Sequence, residues 1–256
     1  APNLRGWVDV PLGEAISKRF PVPVFVGHDA TLAGLAEHRF GAGRGAHNMI
    51  YMTVSTGIGG GIIVEDAIVD GASGTAGEIG HQYLDMRPDA PKCGIGHVGC
   101  LEAFASGTAI ARDANALIAA GKGAGIAAVH QELQAADPAT EALSGTHEQP
   151  KNVTARDVTE AAGRSDAEAV AIITAAARAV GYGIVNLLHI LNPSVIVMGG
   201  GVTKAGPLLF EPIMQVIQQR SFKRPAELVE VVPSQLGDDV GLIGAAAYVT
   251  YRQEHG

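Results

Sequence analysis

Two apolar, β-favouring runs in this chain end in successive glycines. Residues 49–54, MIYMTV, lead into STGIGGG, and residues 194–198, SVIVM, lead into Gly199, Gly200 and Gly201. Strands without polar alternation are buried on both faces, so helices must cover them above and below. The sequence supplies one such helix directly upstream of the second run. From Asp166 on, Ile173, Ala177, Val180, Ile184, Leu187 and Leu191 recur every three or four residues as one buried face. Asn192-Pro193 then stops the helix. Strand, glycine turn and helix in alternation argue for an α/β fold built on a sheet.

VPVFV at 22–26 reads as a further short buried strand that delivers Asp29 to its C-terminal end. The helix ATLAGLAEHRFGAG follows, closed by Gly41 and Gly43. GIIVEDAIVDG reads as a hairpin with Glu65 and Asp66 at its tip. Residues 101–121 read as one helix, and 121–150 as a helical excursion with a loop and no chemistry. Thr154, with Asp157 three residues on, resembles a capping box with aspartate in the glutamate place. A helix over 206–220, a strand over 228–232 and a closing helix over 241–252 complete the expectation.

With 256 residues and 47% hydrophobic side chains, the chain can bury a large core. Its net charge of −8, without a dense Lys/Arg run, offers no footprint for nucleic acid. The apolar runs read as too short and too broken to span a bilayer. The opening APNLRGWVDV lacks the pattern of a signal peptide. Two cysteines make no disulfide framework. The expected setting is soluble, reducing and cytoplasmic.

Four stretches carry candidate chemistry. In 53–61, TVSTGIGGG, backbone N–H groups can approach an anion because no Cβ blocks them, and Ser55 and Thr56 add hydroxyl donors. Gly57, Gly59, Gly60 and Gly61 suit either a phosphate loop or simply a tight hairpin. In 195–206, VIVMGGGVTKAG, the helix after the glycines favours an anionic or nucleotide group; the alternative is a plain strand-to-helix turn. Together the two loops suggest a nucleotide with several phosphates held between strand ends. In 27–31, GHDAT, Asp29 is placed either as a general base for phosphoryl transfer or as the cap of a helix starting near Thr31. In 77–102, GEIGHQYLDMRPDAPKCGIGHVGCLE, Glu78 and His81 are three apart. Cys93, His97 and Cys100 follow at spacings open to zinc; the alternative is a polar loop with two inert thiols.

Together these motifs resemble the ROK family (repressors, open reading frames and sugar kinases) of the actin-like, hexokinase-type ATPases. Asn3, Leu4, Trp7, Pro11 and Leu12 match its early segment. HDATLAGLAEHRFGAG, STGIGGGII, GTAGEIGH, CGIGHVGCLEAFASG, LNPSVIVMGGG and LGDDVGLIGAAAY then follow in the family's order, over essentially the whole chain. The resemblance implies an actin-like ATPase (ribonuclease H-like) α/β fold of two lobes. Residues 1–45 are then the remainder of an incomplete N-terminal lobe, 46–240 the C-terminal lobe, and 241–256 a helix packing back on the first. The resemblance also implies phosphorylation of a glucose-like hexose at a primary hydroxyl by ATP with magnesium, with Asp29 as the base. Glu78, His81 and Glu102 fall on sugar-hydroxyl ligands, with His28 beside them. Ser55, Thr56, Gly57, Gly59, Gly60 and Gly61 fall on the phosphate loop, and Gly199, Gly200 and Gly201 on the adenosine side. His81 also falls on a zinc ligand, one ring nitrogen on the metal and the other toward the sugar. Homo-oligomers, dimers or tetramers, are usual in the family. The rival within it is the effector domain of a sugar-sensing transcriptional repressor.

Three features depart from the family pattern. Its zinc motif, C-x-C-G-x-x-G-C-x-E, aligned on Gly99-Cys100-Leu101-Glu102, puts Cys93 on the first cysteine and Ile95 on the second. The expectation is a zinc site of His81, Cys93 and Cys100 with His97 in place of the missing sulfur; a metal-free loop is the alternative. His28 stands where the family has asparagine, which predicts an altered sugar preference. The family's D-G-G-T phosphate motif is absent from the sequence as given, whose numbering begins inside that lobe, so weak or no turnover is expected of it.

Overall fold

The computed structural model describes residues 10–136 and 152–255. Asn3, Leu4, Trp7 and the later part of the 121–150 excursion lie outside the described residues. Strand β1 (Met49–Val54) alternates between two buried clusters. Ile50, Met52 and Val54 join one, and Met49 and Tyr51 the other. Helices cover it on both faces, as the unbroken apolar run requires. β2 (Ile58–Val64) returns antiparallel to β1, and β3 (Ala67–Ile68) extends it across a turn. That turn is Glu65-Asp66, with φ of 50° and 63°, the hairpin geometry whose twist matches its strands. β4 (Val195–Gly199) and β5 (Glu230–Pro233) run parallel to β1, giving the order β3-β2-β1-β4-β5. The C-terminal ends of the three parallel strands therefore share one edge, the side on which ligands bind in open α/β sheets.

The helices are α1 (Leu12–Ser17), α2 (Asp29–Phe40), α3 (Leu101–Ala105), α4 (Gly107–Ala119), α5 (Ala124–Ala135), α6 (Ala155–Gly163), α7 (Ala167–Leu191), α8 (Pro207–Arg220), α9 (Lys223–Leu228) and α10 (Val240–His255). α6 starts with the expected capping box, the Thr154 N–H donating to Asp157 at 2.7 Å. α7 buries Ile173, Ala177, Val180, Ile184 and Leu187, with Leu191 partly covered. Asp166 caps its start through the Ala169 N–H (2.9 Å), and Asn192 ends it in the left-handed region at φ 48°. Truncating one of its fully buried isoleucines to alanine costs roughly 2–5 kcal/mol. Contrary to expectation, residues 167–190 are long and apolar enough to cross a membrane; half of the apolar stretch is buried inside the protein, which accounts for its character. On the opposite face of the sheet lie α2 and α10. Gly34 lets α2 approach, since a Cβ there would stand 3.2 Å from the Tyr51 Cβ. Gly244 lets α10 approach α2, since its Cβ would stand 2.4 Å from the Leu32 carbonyl oxygen.

Three expectations need correction. Residues 22–26 are not a strand; they have no ladder partner among the described residues, and Val22 and Val26 are 59% and 57% exposed. A neighbour's hydrogen bonds make a strand, and β-favouring composition supplies none by itself. Asp29 is therefore delivered by the head of α2 and not by a strand end. The helix over 101–121 breaks at Ser106, whose hydroxyl accepts the Ala109 N–H and starts α4 afresh. Finally, α9 occupies the start of the expected 228–232 strand, and β5 begins at Glu230.

The hairpin tip is clasped by two histidines. His38 and His47 reach the two oxygens of Asp66 at 3.2 and 2.5 Å. The hydrogen bond to Asp66 raises the His47 pKa, and the same bond lowers that of Asp66. The stability His47 contributes is complete below 6.5 and is lost as pH rises through its raised value. That of Asp66 is complete above 3.8 and is lost as pH falls through its lowered value. The clasp is thus strongest between those limits, and salt screens it. In Asp66→Asn, the His47 titration followed by NMR should fall back to an ordinary imidazole value. An unchanged titration would show that Asp66 is not its partner.

Candidate active site

The head of α2 and the 3-10 turn at Ile79–His81 bring four polar side chains into one line. His28 occupies the N-cap position of α2, with Asp29 as the first helical residue, and no side chain caps the helix. Asp29 is therefore not the N-cap residue of this helix. Its Oδ1 accepts the adjacent Ala30 N–H (2.8 Å), and its side chain is 97% exposed. His28 Nε2 lies 3.6 Å from Asp29 Oδ1 and 3.8 Å from Glu78 Oε1. Glu78 Oε2 lies 3.9 Å from His81 Nε2. Glu102, in the first turn of α3, accepts the Ile58 N–H at 3.0 Å. Gly57 leaves room for that carboxylate where it stands, because a Cβ there would fall 2.5 Å from the same oxygen. Gly59, one residue past Ile58, abuts His28 and Ala30. The start of β2 therefore gathers Glu102 on one hand and the Asp29–His28–Glu78–His81 line on the other. Carboxylates and imidazoles in one open cluster can read several hydroxyls by directional hydrogen bonds.

The turn between β1 and β2 is held from behind by α4. Gly107 N–H donates to Ser55 O (2.6 Å), and Thr108 donates to Thr56 O through both its N–H (3.3 Å) and its hydroxyl (2.8 Å). The Ser55 and Thr56 side chains are left exposed. Thr108 gave no sequence signal; only the break at Ser106 aims the first turn of α4 at this loop. Gly60 and Gly61 serve packing: a Cβ on Gly60 would meet the Ile79 side chain at 2.5 Å, and one on Gly61 the Ala30 carbonyl oxygen at 2.8 Å. At the end of β4, a Cβ on Gly199 would fall 2.2 Å from the Tyr51 hydroxyl. Gly200, at φ 90°, would strike the Val54 carbonyl oxygen, while Gly201 faces open space. Tyr51 is buried there, and burial is the main cause that pushes its phenol up. The loops at 55–57 and 199–201 thus meet at the same edge of the sheet.

Behind the polar line, the 92–98 loop doubles back. Cys93 N–H donates to His97 O (2.9 Å), and Gly96 N–H to Cys93 O (3.0 Å). The donor atoms of His81, Cys93 and His97 all lie within 4.8 Å of one another. The His81 and His97 rings meet edge to face, 4.9 Å between centroids. His81 Nδ1 is buried without a hydrogen-bond partner. Cys100 is fully buried outside this trio, with Cys93 against it. Burial, the largest cause, and Cys93 push its thiol up to about 11. Ile95 is 48% exposed. An orphaned imidazole nitrogen beside a thiol and a second imidazole is a donor set that suits zinc.

The ROK family model matches residues 1–252. The chain belongs to the ROK family. A ROK glucokinase from Streptomyces griseus, solved in complex with glucose and AMPPNP, is 34% identical and superposes with a TM-score of 0.76, covering 97% of this chain and 74% of that one. The glucokinase of Halalkalibacterium halodurans is 39% identical over 248 residues, 97% of this chain and 70% of that protein. A xylose repressor from Caldicellulosiruptor bescii is 30% identical over 249 residues, 97% of this chain and 57% of that protein. The fold is accordingly α/β and of the actin-like ATPase kind found in ROK glucokinases. Kinases and repressors of this family both carry this stretch of sequence.

Proposed function

We propose that the chain is an ATP-dependent sugar kinase of glucokinase type, acting on a primary hydroxyl of a glucose-like hexose. The observation that carries this reading is Asp29: a solvent-open carboxylate at the head of α2, first in a line of hydroxyl-binding groups. Asp29 takes the hydroxyl proton as the sugar oxygen attacks the γ-phosphorus and ADP leaves. Glu78 and Glu102 accept from other sugar hydroxyls, and His28 and His81 hold the ring from the same side. Ser55, Thr56 and the backbone of Gly57 and Gly59 take the phosphates, while Gly60, buried in β2, packs against Ile79; Gly199, Gly200 and Gly201 take the adenosine side. Magnesium arriving with the nucleotide would neutralise phosphate charge there. Zinc at His81, Cys93, His97 and Cys100 would fix the 92–98 loop and, through Nδ1, the orientation of His81. The division into 1–45, 46–240 and 241–256, a cytoplasmic setting and a homo-oligomer, dimer or tetramer, go with this reading by family likeness.

The test is coupled ADP release from ATP with glucose, mannose, N-acetylglucosamine and N-acetylmannosamine, and sugar-phosphate formation with polyphosphate as donor. Glucose-dependent but weak release of ADP is expected. The likeness to the xylose repressor favours a second reading, a sugar-sensing effector domain; sugar binding without release of ADP from ATP in the presence of any hexose would select it. In the same panel, His28→Asn should change the ratio of turnover between sugars by roughly tenfold, the scale of one altered hydroxyl contact. An unchanged sugar profile would remove His28 from the pocket.

A further inference from the structure

Glu37 lies on the inner face of α2 with none of its surface exposed. Neutral donors from two separate stretches surround its carboxylate. Oε2 accepts the Ala42 N–H at 2.8 Å. Oε1 accepts the Ser234 hydroxyl (2.5 Å) and the N–H groups of Leu236 (3.0 Å) and Gln235 (3.1 Å). The backbone makes room for it, since a Cβ on Gly41 would fall 2.0 Å from Oε2. Its own carbonyl accepts the N–H groups of Gly41 and Gly43, both at 3.0 Å. A buried carboxylate is tolerated only when such donors are in place, and without it several N–H groups would be stranded.

The two stretches have a particular place in the chain. Residues 41–46 lead from α2 into the sheet, and 234–239 lead from β5 out of the sheet into α10. In the two-lobe division they stand at the two crossings between lobes, 41–46 spanning the first at 45/46 and 234–239 leading up to the second at 240/241. Ser234 N–H also donates to Met198 O (2.8 Å), the residue before the 199–201 glycines. Asp29 stands on the same helix eight residues before Glu37, about 12 Å along its axis. A single carboxylate thus ties the helix that bears Asp29 to both crossings and to the nucleotide edge of the sheet.

We propose that Glu37 is a positioning residue, the pin that holds the two inter-lobe crossings together and sets Asp29 against the nucleotide loops. The proposal rests on the kinase reading and its two-lobe division. Hydrogen exchange on the intact chain tests the pin without activity. In Glu37→Gln, which keeps shape but loses charge, amides in 41–46 and 234–239 should exchange about tenfold faster, while β1 and α7 keep their protection. Ser234→Ala, which leaves the carboxylate in place, should give the same pattern more weakly and covers the event that Glu37→Gln fails to fold. Unchanged exchange in both stretches, or faster exchange over the whole chain alike, overturns the pin. Steady-state kinetics tests the positioning: kcat should fall about tenfold in Glu37→Gln with the KM for glucose within about threefold. A raised KM at unchanged kcat overturns it. A wild-type chain without turnover on any hexose brings down the kinase reading and the positioning role together, while the exchange result still decides the pin.

Discussion

Asp29→Asn is expected to lower ADP release by about 10³-fold, within the range that a positioned general base supplies. The substitution is chemically narrow. Asparagine keeps the oxygen that accepts the Ala30 N–H, so the head of α2 need not move. The side chain is 97% exposed, so little burial or packing is lost with the charge. Folding stability should therefore stay within about 0.5 kcal/mol, as for other surface changes. Loss of the carboxylate at the first turn removes one favourable helix-dipole contact, which is of the same small order. Sugar affinity measured by calorimetry should remain within a few-fold, because the hydroxyl-reading groups stay in place. A fall in kcat without a matching loss of binding is the signature of an interaction used only in the transition state. Glu78→Gln provides the contrast, with the larger change expected in KM. If Asp29→Asn turns over as fast as the wild type, Asp29 is not the base.

The elements best legible in the sequence were those whose signal is local. β1 and β4 announced themselves as apolar runs into glycine, the α7 face by its spacing, and the α6 cap by Thr154 and Asp157. What stayed hidden depends on partners far along the chain. Residues 22–26 have strand composition, but a ladder requires a neighbour, and nothing local tells whether one is present. Ser106 looks like any serine in a helical run until Gly107 is required by the Ser55 carbonyl oxygen. The candidate site was legible as a set of residues and not as a shape. The spacing of Glu78 and His81 suggested a shared direction, whereas the contact of His28 with Glu78 joins residues fifty apart. Glu37 had a faint signal, a carboxylate four residues after Ala33 on the inner face of its helix, but its donors at 234–236 lie beyond any local pattern. The glycines taught the opposite lesson: Gly60 and Gly61 read as phosphate binders, yet their missing side chains are used to seat Ile79 and α2.

The purified protein is expected to carry about one zinc per chain, and His97→Ala should lose most of it. His81 Nδ1 argues for this, because a buried ring nitrogen without a partner is costly unless something occupies it. Cys93 and His97 stand ready beside it, and Cys100 is one side chain further in. Without metal, the Cys100 thiol, pushed up to about 11, is an inert protonated group. Chelation should lower the thermal midpoint of the wild type and leave a metal-free variant unmoved, since a ligand that binds only the folded state stabilises it. Ile95 supplies the sharper test. It is 48% exposed, so Ile95→Cys changes little in the core while placing a sulfur where the resemblance to the family pattern puts its second cysteine. If His97 already fills the fourth place, Ile95→Cys adds at most about tenfold in affinity, and it rescues His97→Ala. If the wild type holds no metal and only Ile95→Cys binds it, His97 is no substitute and the loop stands without zinc.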